Sequence, residues 1–304
     1  MEAVNKKVKI SSNETIESPW RMTYRRLKKN KLSMVGFVIL LGMFIFSFIG
    51  PFLSPHDMIT TNVLNANKPP SSQFWLGTDS VGRDVLLRLM LGGRISLLVG
   101  LVSVAISVFI GTLVGGLSGF YGGWIDNVLM RIADIFMAVP TMPILVILAA
   151  VMSDLKVLPE RRIFVVMFIL GILSWAGLSR LVRGQILTLR EQEFMQAAEA
   201  LGLKDSRKIF KHLIPNVVPT IIVNATLGIG SSILMESALS FLGLGVVPPI
   251  PSWGNMIQAV NNFYNFQNRP WLWIPPGVCI FLTVMAINLF GDGLRDALDP
   301  KLKR

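Results

Sequence analysis

ISLLVGLVSVAISVFIGTLVGGLSGFY, residues Ile95–Tyr121, holds no Asp, Glu, Lys or Arg. A helix rises 1.5 Å per residue, so about 17 to 25 apolar residues cross a hydrocarbon layer about 30 Å thick. In lipid the backbone must satisfy its own hydrogen bonds, and a run this long and uniformly apolar does so as a helix, not as a barrel strand. Gly111, Gly115 and Gly119 recur every four residues on one face. Small residues in that register allow close helix approach where lipid removes the usual hydrophobic driving force; lining a ligand path is the other reading of the same glycines.

Five more charge-free runs follow the same rule: Leu32–Phe52, Ile135–Ser153, Ile163–Ser179, Leu213–Met235 and Trp271–Gly291. The chain is 52% hydrophobic and 15% charged, against about 25% charge in an ordinary soluble domain. The sequence therefore predicts an all-α integral membrane protein with about six transmembrane helices. Its first run is longer than a signal-peptide core and is followed by no Ala-x-Ala site, so it reads as a retained span. Cys279 is the only cysteine and reads as a small buried apolar side chain.

The predicted organisation is a basic cytoplasmic segment 1–31, a first span 32–52, an external segment 53–94 with an amphipathic helix, a five-helix core 95–291 with an inner loop at 190–215, and a cytoplasmic tail 292–304. The net charge of +11 follows that plan, because 21 of the 29 Lys and Arg residues fall in the segments assigned to the inside. The positive-inside rule then places both termini in the cytoplasm. Arg21, Arg25, Arg26, Lys28, Lys29 and Lys31, with Trp20 and Tyr24 nearby, suit contact with anionic membrane lipid. No zinc pattern or aromatic RNA-binding signature accompanies them, so nucleic acid is not an expected partner.

In the external segment Pro51, Pro55, Pro69 and Pro70 break helices. Val85, Leu86 and Leu89 beside Arg83, Asp84 and Arg88 predict an amphipathic helix at the outer interface, with Arg94 marking the border of the second span. Gly77, Gly82 and Arg83 fix turns there or contact an external protein. Pro140 and Pro143 interrupt the third span, as a passive kink or a mechanistic one. A charge at mid-membrane costs about 2.5–3.5 kcal/mol on insertion scales, so Glu236 is expected near the outer edge or facing protein and water. Capping or packing, or a place on a translocation path, are its two roles.

The inner loop LREQEFMQAAEALGLKDSRKIFKHLIPN, residues 189–216, is compact and amphipathic. Phe194, Ala197, Ala198 and Leu201 share one helical face. Gly202 suits a left-handed helix end, and Asp205 is placed to cap a second helix carrying Ile209, Phe210 and Leu213. This surface fits docking to a cytoplasmic protein, or packing against the chain's own helix ends.

QAAEALG, then nine residues, then His212, Ile214 and Pro215, resembles the EAA loop of bacterial ABC importer permeases, whose usual order is Glu-Ala-Ala, three residues, Gly, nine residues, Ile-x-Leu-Pro. Gln196 replaces the first Glu, His212 the Ile and Ile214 the Leu. WLGTDSVGRDVLLRLMLGGRISL (75–97), ESALSFLGLG (236–245), PPIPSWG (248–254) and GDGLRDALDP (291–300) resemble the C-type permease subunit of oligopeptide and dipeptide importers. The resemblance implies the type I ABC importer permease (MetI-like) fold in a bacterial plasma membrane. It also implies a coupling helix that meets an ATPase through Glu193, Phe194, Gln196, Ala197, Ala198, Leu201, Gly202 and Pro215. Gly82, Arg83, Asp84 and Glu236 become candidates for gating or external contacts. The implied partners are a homologous B-type permease subunit, two ABC ATPase subunits, an extracellular or periplasmic solute-binding protein and a peptide substrate.

No catalytic, cofactor or metal site is expected in the chain itself. GTLVGGLSG at Gly111 lacks the Gly-Lys-Ser/Thr ending that holds phosphates, so ATP and magnesium are expected on the partner ATPases. His56 and His212 are too few for a histidine metal site. The alternatives are a permease of the same family for nickel chelates or glutathione, an ion-coupled secondary transporter, or a membrane scaffold. The second of these usually carries ionisable groups within its spans, and the clearest spans here have none.

Overall fold

A computed structural model describes residues 19–57 and 61–298; the basic residues before Pro19, and Pro300, which the sequence offers as the stop of the last helix, lie outside it. The elements are α1 (Pro19–Lys29), α2 (Lys31–Phe48), α3 (Val85–Tyr121), α4 (Gly123–Ala138), α5 (Thr141–Asp154), α6 (Pro159–Arg190), α7 (Glu193–Ala200), α8 (Asp205–Arg207), α9 (Ile214–Phe241), α10 (Trp253–Ile257), α11 (Phe263–Asn268) and α12 (Ile274–Leu298). Helices α2, α3, α6, α9 and α12 are long and apolar enough to cross a membrane, α9 together with the turns that lead into it. Helices α4 and α5 meet at 76° and make a sixth crossing if they are one broken span. The break falls at Val139 and Pro140, both extended, where a proline lacks the N–H that would continue the ladder.

Helix α3 is the axis of the bundle. It packs most extensively on α6 and also touches α2, α4, α9, α10 and α12. Its glycine face is the reason α6 comes so close. A Cβ at Gly111 would stand 2.9 Å from the Trp175 carbonyl oxygen, one at Gly119 would stand 3.0 Å from that of Arg183, and one at Gly115 would run into the Ser179 carbonyl. Of the two readings of these glycines, the structure supports helix packing. A similar close approach joins α2 to α12, where a Cβ at Gly36 would lie 2.7 Å from the Ala286 carbonyl.

Two expectations change here. The amphipathic stretch from Val85 is not a separate interfacial helix but the first turns of α3, whose 37 residues extend about 55 Å at 1.5 Å per residue. The helix passes through its arginines because each finds partners. Arg88 is buried beside Asp79 and donates to the Pro249 carbonyl. Arg94 donates to the Ser47 and Phe48 carbonyls at 2.9 and 2.8 Å, closing the C-terminal end of α2. Likewise Asp292, which GDGLRDALDP (291–300) would place as the cap of a cytoplasmic helix end, is an exposed residue inside α12, which continues to Leu298. Cys279 is buried, as its sequence position suggests.

Replacing Gly115 with Leu is expected to force α3 and α6 apart. Overpacking of this kind costs about 1–3 kcal/mol, so the detergent-solubilised protein should melt several degrees lower, while Gly177→Leu, where nothing lies within 4 Å, should leave the transition in place.

Candidate functional site

The connector between α6 and α9 begins where α6 ends. Helix α7 follows a short turn, and Gly202, at φ +66°, reverses the chain, a conformation that costs a residue with a Cβ. The N–H groups of Gly202 and Leu203 return to the Glu199 and Ala198 carbonyls at 2.9 and 3.1 Å, which satisfies the open end of α7. The chain then runs through α8 and one π-helical turn, Lys208–Leu213, directly into α9, with Pro215 in its first turn. Asp205 does not cap that helix. It lies inside the first turn and pairs with Lys208 at 3.2 Å, and Lys208 also stands over the Phe120 ring.

Helix α7 presents two different apolar faces. Met195 and Ala198 are buried, Met195 among Leu178, Val182, Ile186, Leu213 and Val217 at the inner ends of α6 and α9. Phe194, Ala197 and Leu201 are exposed, with Leu201 79% accessible. The expected stripe is therefore divided: Ala198 joins the chain's own core, and Phe194, Ala197 and Leu201 are left for another surface. Glu193 and Gln196 are exposed beside them. Met195, which sequence reasoning missed, is signalled only by its three-residue spacing from Ala198.

Beneath the connector, charges tie the helices together. Arg183 donates two bonds to Asp126, at 2.6 and 2.5 Å, and Ser118 donates to the same carboxylate. A forked arginine–carboxylate pair fixes orientation as well as distance, so α3, α4 and α6 share one registration point. Arg190 donates to the Gly119 and Phe120 carbonyls, satisfying the C-terminal end of α3.

At the opposite end, Asp84 is the N-cap of α3, accepting from the Leu86 N–H at 3.0 Å, and its other oxygen lies 3.0 Å from His56 Nδ1. Asp79 accepts from the Val81 and Arg83 N–H groups and pairs with the Arg83 side chain at 2.8 Å. Gly82, at φ +80°, lies against the backbone of Asn62. Gly82, Arg83 and Asp84 thus build the turn that starts α3.

Glu236 has no exposed surface at all. Of the places expected for it, the structure selects a protein interior near the C-terminal end of α9. Ser240 donates to one carboxylate oxygen at 2.6 Å and Ser96 of α3 to the other at 3.1 Å. Ser96 accepts from the Trp253 N–H, and the Trp253 ring nitrogen donates to the Leu89 carbonyl at 2.9 Å. Asn255 donates to the Val246 and Ile250 carbonyls, and Ser252 with Asn255 forms a capping box. The segment after α9, expected to be an apolar outer turn, is thereby folded back into the bundle with Trp253 fully buried. The local cue was Glu236 with Ser240 four residues on; Ser96 lies 140 residues away and had no local signal.

Glu236→Gln keeps the side-chain volume and one acceptor oxygen while its NH2 group faces the second hydroxyl, so it should fold with a smaller loss than removal of the side chain. Glu236→Ala strands buried hydroxyls and opens a cavity, a loss of about 2–5 kcal/mol. The contrast is read as the fraction of each variant that elutes monodisperse from detergent extracts.

Residues 83–304 match the family described as binding-protein-dependent transport system inner membrane component, and residues 18–70 match the N-terminal transmembrane domain of oligopeptide transport permease C. The chain is 41% identical to the oligopeptide transport system permease protein OppC of Bacillus subtilis, with 94% of this chain and 91% of that protein covered. It is also 41% identical to the dipeptide transport system permease protein DppC of Alkalihalophilus pseudofirmus, over 95% and 92% of the two chains. The glutathione transport system permease protein GsiD of Pectobacterium atrosepticum is 37% identical, over 97% and 95%. These matches span both the outer turn at Gly82 and the inner connector, and the chain belongs to the binding-protein-dependent transport system inner membrane component family, in the branch of oligopeptide and dipeptide permease C subunits.

Proposed function

We propose that this multi-pass membrane permease forms half of the path by which an ABC importer takes up oligopeptides or dipeptides. It works beside a homologous B-type permease, two ATPases that hold ATP and magnesium, and an external solute-binding protein. The chain contributes no catalytic group. The observation that carries this reading is the division of α7: Phe194 and Leu201 are exposed, while Ala198 is buried and Met195 packs into the cluster of α6 and α9. One face is free for a groove on an ATPase, and the other face passes its displacement to the membrane helices. The excess of basic residues around this end supports a cytoplasmic connector and cytoplasmic termini.

ATP binding draws the two ATPases together and displaces α7. The cluster under Met195 is close-packed, and a packed core transmits displacement instead of absorbing it. Leu213 and Val217 therefore carry the push into α9, while Leu178, Val182 and Ile186 carry it into α6. Gly202 keeps α7 and α9 at a fixed angle, so the connector acts as a lever. The path then alternates between a state open to the binding protein and one open to the cytoplasm. Glutathione is a small peptide, and the relative that carries it falls within the same reading.

The whole complex in proteoliposomes should accumulate labelled peptide with ATP and binding protein, and not with an ion gradient alone; uptake driven by the gradient would defeat the importer reading. Changing both Phe194 and Leu201 to Asp should cut ATPase co-purification tenfold or more, the scale of losing about 2 kcal/mol at an interface hot spot, without unfolding the permease. Gly202→Val strains a turn that has open space around it. It should weaken coupling, seen as ATP hydrolysed per peptide imported.

A further inference from the structure

A cavity of about 160 Å³ lies between α3, α5, α6 and α9. Its polar lining is Ser107, Thr141, Ser174, Asn224, Ser231 and Ser232, and no lining residue is ionisable. Ser107, Ser174, Asn224 and Ser232 all fall well inside their helices, so the cavity sits at mid-bundle depth. Apolar side chains are the ordinary choice there. A serine in a membrane helix usually bonds back to its own helix, as Ser174 does to the Leu170 carbonyl at 2.7 Å and Ser231 to that of Leu227 at 3.4 Å. Ser107 and Ser232 do not. Each is only 8% exposed, each lines the cavity, and neither has a hydrogen-bond partner among the described residues. Their hydroxyls open on the cavity and are free to bond what enters it, each with one donor and two acceptor sites. Asn224 and Ser231 stand exposed at the open side.

The chemistry of the lining narrows the occupant. Hydroxyls and a carboxamide donate and accept, and none carries charge. An ammonium or carboxylate would find no counter-ion here. An amide, which offers N–H and C=O together, matches the set. Towards the connector the same face of α9 continues through Thr220 and Asn216 beside a larger opening of about 900 Å³, where Gln185 of α6 donates to Thr220 at 2.7 Å. The uncharged lining thus continues from mid-bundle to the inner end, where Arg295 is the first ionisable residue on its wall.

We propose that this cavity is where the path recognises the main chain of its substrate, with Ser107 and Ser232 hydrogen-bonding peptide amides in transit. The proposal rests on the peptide-importer reading above and adds to it that the wall reads backbone and ignores side-chain charge.

The test uses the complete complex with its binding protein in proteoliposomes. Uptake of trialanine is compared with that of its ester-linked analogue, in which lactyl units replace alanyl and remove the amide N–H. Wild type and the double variant Ser107→Ala, Ser232→Ala are measured with both substrates, so any preference of the binding protein cancels. The variant should lose about threefold to tenfold in kcat/KM for trialanine, the scale of one net hydrogen bond, and less than twofold for the ester. A loss shared equally by both substrates, or no loss, overturns the proposal, the first by showing a packing role alone. If the wild-type complex imports no alanine peptide of two to six residues, the peptide reading itself fails. Should the double variant not assemble, a Ser231→Cys, Cys279→Ala chain is labelled with a water-soluble thiol reagent. Saturating trialanine with binding protein and ATP should slow labelling at least threefold, and unchanged labelling overturns the proposal equally.

Discussion

The backbones of α3 and α6 approach so closely that Gly115 has no room for a methyl group, and the placement of the other elements follows from that contact. Lipid offers apolar side chains nothing that another helix does not, so helices associate by packing and by pairing polar groups. Three glycines on one face supply the packing. With α6 held there, Arg183 reaches Asp126 and draws α4 against both helices. Arg190, about two turns further on, reaches the end of α3. The lower ends of α3 and α6 become a fixed platform on which α7 rests.

Charge in this chain serves a second purpose beside topology. The basic residues that mark the membrane borders are also the groups that close helix ends: Arg94 for α2 and Arg190 for α3. A helix leaves four carbonyls unpaired at its C-terminus, and a guanidinium offers several donors in one plane. Glu236 is the opposite case, a carboxylate satisfied by hydroxyls. Removing it disturbs α3, α9 and the Trp253 segment together, because Ser96 links all three. Buried polar networks of this kind hold one arrangement when complete.

The charge-free runs made the spans legible, since six stretches without Asp, Glu, Lys or Arg have no comfortable place in water. The boundaries were less legible. Arg88 and Arg94 look like an interface until their partners are known, and those partners, Asp79, Ser47, Phe48 and Pro249, lie elsewhere in the chain. On α7, periodicity identified an apolar face yet had no means to divide it between two surfaces; the cluster at the feet of α6 and α9 takes Met195, and Ala198 is buried beside it on the same side. Pro140 announced a break, whereas the 76° angle between α4 and α5 had no counterpart in the sequence pattern. For Glu236 the sequence required satisfaction and offered one donor locally, Ser240 four residues on, while Ser96 on another helix left no local pattern.

Helix α9 joins these features into one element. Its first turn leaves the connector at Ile214, its middle carries Asn224 and Ser232, and its last turns hold Glu236 and Ser240. Under the importer reading, a displacement of α7 that enters at Leu213 and Val217 runs along this helix to the Glu236 network. The two ends are bound differently: close apolar packing below, a hydroxyl cage above. Packing transmits force in every direction, while the cage keeps its bonds only over small rotations, since hydrogen bonds weaken steeply off line. The outer end is therefore the natural pivot and the inner end the arm. Residues near the middle of α9 then shift against α3 and α6 by an intermediate amount, which is where two unpaired hydroxyls on different helices would alter their separation during each cycle and release what they had held.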